Sequence, residues 1–205
     1  SAASDVYKRQ PINRINMKRI LAAFLVLVSA VYAMAQEHLS FKGIPIEGSM
    51  TSFCQKLKDQ GLTEIGTTNN VTMFVGNFTG RQASIGVSAT SNGKNVHGVI
   101  VIFDSSDEWK TLVNTYDYYK GLYTRKYGNP SDCIENNPSR HNSNTFLMSE
   151  LAKGTVNYAS SWEVTGGEIE LSIEKATTPL NGTVVIKYLD AQNIEMKLQN
   201  DLDEI

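Results

Sequence analysis

The chain has 205 residues, with 19 Lys or Arg against 21 Asp or Glu and a formal net charge of −2. Past residue 35 the balance becomes 14 basic against 20 acidic, a formal charge of −6, and an acidic surface excludes the basic stripe that tracks nucleic-acid phosphates. Past the same point no apolar stretch approaches the roughly twenty residues that cross a bilayer, and the length suits one domain around one core.

Residues 1–16 carry no hydrophobic pattern. Ser1-Ala2-Ala3-Ser4-Asp5-Val6-Tyr7-Lys8-Arg9-Gln10 resembles the in-frame translation of a transposase sequencing adapter, and Pro11 to Asn16 read as leader, so both are set apart from the fold. Met17 then opens an export signal that runs to Ala35. Lys18 and Arg19 supply its positive front, Ile20 to Val31 an apolar run of about twelve residues, and Ala33-Met34-Ala35 the small-x-small exit that a signal peptidase cleaves. Residues 36–205 are therefore expected to be one exported domain, periplasmic or extracellular, with Gln36 at its start.

Phe41 to Ile46 reads as a short extended lead-in. Ser49 can cap a first helix in which Met50, Phe53, Cys54 and Leu57 recur at helical spacing until Gly61. Three strands follow, Val71 to Phe78, Gln82 to Ala89 and Val96 to Phe103, with Asn92-Gly93 as the turn between the last two. Ser105 and Glu108 have the spacing of a capping box before a long helix that ends at Gly128. Asn129 to Ser143 is rich in Asn and Ser and reads as a mobile loop, and Asn144 to Lys153 as a short helix. Strands recur over Val156 to Val164, Glu168 to Lys175 and Thr183 to Leu189, and Asp190 can cap a last helix carrying Ile194, Leu198 and Leu202. The class is α+β, an antiparallel sheet with flanking helices: either two α-βββ-α repeats or a single six-stranded sheet.

The chemistry-bearing motifs are few. No G-x-S-x-G turn, paired-histidine zinc helix, phosphate loop or dinucleotide fingerprint occurs, so no cofactor and no metal is expected. A cysteine nucleophile with His97 or His141 as base is a formal alternative, since such groups assemble in space. Cys54 and Cys133 are candidates for a disulfide, worth about 4–5 kcal/mol on the chain-entropy model, although Cys54 on an apolar helix side also suits a packed free thiol. Glu168, Glu170 and Glu174 alternate with Ile169, Leu171 and Ile173, which puts the acids on a face turned away from the core. Asp201, Asp203 and Glu204 read as a polar terminus. Tyr116, Tyr119, Tyr123 and Tyr127 share one face of the long helix; the stripe either packs on the sheet or, if exposed, offers Tyr116, Tyr119 and Tyr123 as a binding surface.

Phe41-x-Gly43-Ile44-Pro45-Ile46-x-Gly48, Phe53, Leu57, Gly61-Leu62, Gly76-x-Phe78-x-Gly80 and Lys126-Tyr127-Gly128-x-Pro130 together resemble a set of small secreted proteins of gut Bacteroidales. The resemblance implies an exported protein and brings no catalytic residue with it. The functional expectation is a non-catalytic binding module for a protein, peptide or envelope glycan, with a proteinaceous enzyme inhibitor as one form of it by analogy of tandem helix-and-sheet architecture. The alternative is an envelope hydrolase that uses dispersed carboxylates.

Overall fold

The computed structural model of the protein describes residues 37–91, 93–136 and 142–203; the expected export signal and everything before it, Gln36, Asn92, His141 and Glu204 lie outside them. The described chain opens with a small hairpin, β1 (Ser40–Phe41) and β2 (Ile44–Pro45). Its turn, Lys42-Gly43, has φ of 51° and 78°, the paired left-handed geometry that closes a two-residue hairpin. Helix α1 (Met50–Asp59) follows, with Ser49 Oγ accepting the Ser52 N–H at 3.3 Å and Phe53, Cys54 and Leu57 buried. Four strands then run as a meander: β3 (Thr63–Thr68), β4 (Val71–Phe78), β5 (Arg81–Ala89) and β6 (Val96–Phe103). After the long helix α2 (Trp109–Tyr127) come β7 (Asp132–Asn136), α3 (Asn144–Lys153), β8 (Asn157–Val164), β9 (Gly167–Lys175), β10 (Gly182–Asp190) and α4 (Ala191–Asp203).

The eight strands β3 to β10 form one antiparallel sheet in the order β3-β4-β5-β6-β10-β9-β8-β7. Each half is a four-stranded meander, and the halves meet where β6 pairs with β10. The expected three strands per half become four because β3 and β7, at the two edges, join the sheet with every residue exposed. Part of the Asn129 to Ser143 stretch is thus strand β7. The expected capping box at α2 does not form: Trp109 N–H donates instead to Asn144 Oδ1 at 2.7 Å, which ties the start of α2 to the start of α3.

Helices α1, α2 and α3 cover one face of the sheet, and the core lies between. Register puts Phe74, Ile85, Val101, Ile186 and Leu171 side by side across five strands of that face, all buried. The tyrosines of α2 belong to this core, which corrects the reading of Tyr116, Tyr119 and Tyr123 as a binding surface. Tyr116 and Tyr119 are 0% exposed and Tyr123 is 7% exposed, while Tyr118, on the opposite side of the helix, is 44% exposed. Each buried phenol has a polar partner: Tyr116 with Ser160 Oγ at 2.6 Å, Tyr123 with the Tyr188 hydroxyl at 2.5 Å, and Tyr119 with the Thr79 hydroxyl at 2.8 Å. The rings supply core area and their polar tips are satisfied inside, as burial of tyrosine requires.

Asp190, the last residue of β10, is fully buried and holds three chain segments together. Its carboxylate accepts from His38 Nδ1 at 3.1 Å, the Leu39 N–H at 2.9 Å and the Asn193 N–H at 3.0 Å. The Asn193 side-chain amide then donates to Ile46 O at 2.8 Å and Val96 O at 2.9 Å. One carboxylate therefore caps α4 and anchors the β1–β2 hairpin.

Asp190→Ala should cost about 3–5 kcal/mol, the range for breaking a buried charged network by removing one partner, read as a fall in the urea midpoint. Alkaline stability gives a second test. Burial pushes the Tyr116 hydroxyl up to about 12, and Tyr123 and Tyr188 in the same direction. An unfolded tyrosine ionises near pH 10, so the stability held in these phenols is intact below about pH 10 and declines as pH rises toward about 12. Urea midpoints across that window should fall, and Tyr116→Phe should flatten the fall.

Candidate functional site

Among the described residues, the face of the sheet opposite α1, α2 and α3 is open except at one end, where Ile194 of α4 lies beside Leu189. Because side chains alternate between faces, register reads its composition directly. One row crosses Met73, Gly86, Ile100, Lys187, Glu170, Ser161 and Asp132. The next runs Val75, Ser84, Ile102, Val185, Ser172, Ala159 and Ile134. The β4–β6 half of the face is apolar and small, and the β7–β9 half is acidic and hydroxylic. Gly86 is what joins the apolar half into one surface: a Cβ there would lie 2.7 Å from Ile100 Cγ2 and 3.1 Å from Met73 Sδ. Those two side chains close over the glycine.

Two depressions lie on the acidic half. The first, of about 390 Å³, is bordered by Asp132, Ser161, Glu170, Ser172, Glu174 and Lys187. Lys187 Nζ lies 3.0 Å from Glu174 and 3.6 Å from Glu170. Partial burial pulls its ammonium down, but pairing with Glu174 and Glu170 more than reverses this and holds it above the ordinary lysine value. The second, a groove of about 640 Å³, sits where α4 leaves β10 and meets the β8–β9 hairpin. Its walls are Val164, Leu189 and Ile194, with Glu163 and Glu168 beside them. Glu168 borders both depressions.

Glu168, Glu170 and Glu174 thus stand on the outward face, where their alternation with Ile169, Leu171 and Ile173 put them. Lys187, Met73, Ile100 and Leu189 were not singled out by the sequence. Their signal was present as strand alternation, but their meeting on one surface depends on the β6–β10 pairing, which no local pattern encodes.

Cys54 and Cys133 are not bonded. Cys54 is buried on α1, its Sγ 3.4 Å from Met50 Sδ, and burial pushes its thiol up, with Thr72 on β4 as its hydrogen-bonding neighbour. Cys133 is exposed on the edge strand β7, beside Lys120 Nζ at 3.2 Å and Ser160 Oγ at 3.4 Å. From β4 to β7 the sheet order spans six strand spacings, about 29 Å at roughly 4.8 Å each, far beyond the reach of a disulfide. His38 is held by Asp190, and His97 lies near Lys197 and Asp201, so neither described histidine stands beside a thiol. Partial burial, and then the Lys197 ammonium, hold His97 below the ordinary histidine value. Among the described residues no group of three or more His, Cys, Asp or Glu side chains is placed to hold a metal ion, and no helix is long and apolar enough to cross a membrane.

Comparison with protein-family models, with curated proteins and with solved structures finds no match to this chain.

The thiol arrangement is directly testable. In the native protein a maleimide should modify Cys133 at least about tenfold faster than Cys54, with Cys54 reacting on unfolding; thiols follow exposure in this way. Mass spectrometry of the labelled, non-reduced protein should show no Cys54–Cys133 cross-link.

Proposed function

We propose that this protein is an exported, non-catalytic module that binds a protein or peptide on the open face of its sheet. The observation that carries the reading is the apolar row in which half-buried Met73 and Ile100 flank the buried Gly86, on a face that α1, α2 and α3 leave uncovered. A contiguous apolar surface beside a polar border is the composition of an interaction patch. The expected export signal, Met17 to Ala35, and the resemblance to secreted Bacteroidales proteins support an extracytoplasmic setting. A proteinaceous inhibitor is one form of this reading, in which the face covers the surface of an enzyme.

Two further observations favour it over the alternatives. A glycan platform usually presents aromatic rings, and the open-face rows contain none. A paired-carboxylate hydrolase needs two acids with room between them for the scissile bond and a water. Here Lys187 sits between Glu170 and Glu174 and pairs with both.

The test is capture from gut-bacterial envelope and culture-supernatant fractions, using the purified chain and a Met73→Glu/Val75→Glu variant. The native protein should retain a specific protein that the variant loses, with the unfolding midpoints of the two within about 0.5 kcal/mol, as for surface changes. Undiminished capture by the variant would sink the open-face reading. So would turnover of envelope substrates that Glu170→Gln abolishes.

A further inference from the structure

Resting on that binding reading, we infer that the groove between α4 and the β8–β9 hairpin receives an arginine or lysine side chain from the protein partner. The groove is apolar along its walls, through Val164, Leu189 and Ile194, and of about 640 Å³. Basic side chains lay their methylene stems along such surface and keep the charged head at its polar edge. Here that edge is acidic.

Glu163 and Glu168 are directly opposite each other in the antiparallel β8–β9 register. Like charges so placed destabilise a sheet, and among the described residues neither carboxylate forms an ion pair. The neighbouring acids differ, because Glu170 and Glu174 already share Lys187. The acidic strip therefore carries its own counter-ion at one end and lacks one at the groove end. A cation from outside supplies the missing charge there and relieves the repulsion, so binding gains what folding gives up.

A second copy of the chain does not fit this role through the same face, since Lys187 is the one cation in the open-face rows and is already engaged. Because Glu168 also borders the first depression, a segment with its basic side chain in the groove runs on over the acidic half of the face, while the groove walls Val164, Leu189 and Ile194 offer it apolar contact. The partner is then a segment that carries a basic residue with apolar neighbours.

The test is an NMR titration of the full chain with an acetylated, amidated peptide of alternating arginine and leucine. The same peptide with citrulline for arginine, neutral and isosteric, and free spermine are titrated alongside. The arginine peptide should shift the resonances of Val164, Glu168, Leu189 and Ile194. Affinity should drop about tenfold or more with citrulline, and by a similar factor in a Glu163→Gln/Glu168→Gln variant, the order expected for a charge-assisted contact. That variant should also unfold at a higher urea concentration, because its repulsion is gone. Absence of shifts at millimolar arginine peptide, equal affinity for the citrulline peptide or for the double variant, or spermine binding as tightly as the peptide, would each overturn the inference. Its failure is separable from that of the binding reading: a glutamine variant that still captures the partner lost by Met73→Glu/Val75→Glu leaves the face a binding surface without this cation contact.

Discussion

The antiparallel pairing of β6 with β10 holds the two halves of the molecule together, and most other features depend on it. Gly98 to Ile102 lie opposite Val185 to Leu189, so two meanders far apart in sequence become one sheet. On the covered side this joins Val101 to Ile186 and makes the core continuous under three helices. On the other side it sets Ile100 beside Lys187, which is the boundary between the apolar and acidic halves of the open face.

The end of β10 carries this organisation into the groove. At Gly167 a Cβ would come within 2.0 Å of Leu189 O, so glycine alone lets the start of β9 approach the end of β10 this closely. One residue beyond Leu189, the buried Asp190 carboxylate fixes the direction in which α4 departs. That direction brings Ile194 over Leu189 and builds the groove wall. A buried charge on the helix-covered side thus determines the shape of a site on the open side, through a helix that begins at the charge itself.

Central elements were legible in the sequence and edges were not. β4, β5, β6, β8, β9 and β10 each place side chains in the core, and their apolar runs, alternating most clearly in β5 and β9, marked them within a residue or two of their observed ends. β3 and β7 bury nothing, so Thr63 to Thr68 and Asp132 to Asn136 look like loop even though they are paired strands. The tyrosine stripe was visible as a helix face, but whether that face met sheet or solvent depended on which side of α2 the strands lay. For the disulfide, sequence spacing carries no distance, and only the strand order separates Cys54 from Cys133. The acids of β9 were placed on the outward face by alternation, while the missing counter-ion at Glu163 and Glu168 is a property of the register between strands.

The two edges that the sequence hid also decide how the molecule behaves in company. β3 is broken by a bulge between Glu64 and Gly66, and β7 is only five residues long with Asp132 and Glu135 on it. An open sheet edge invites another strand to add to it, and short, bulged or charged edges are the means by which sheets refuse. The same residues that contribute nothing to the core therefore make both edges poor templates for a further strand.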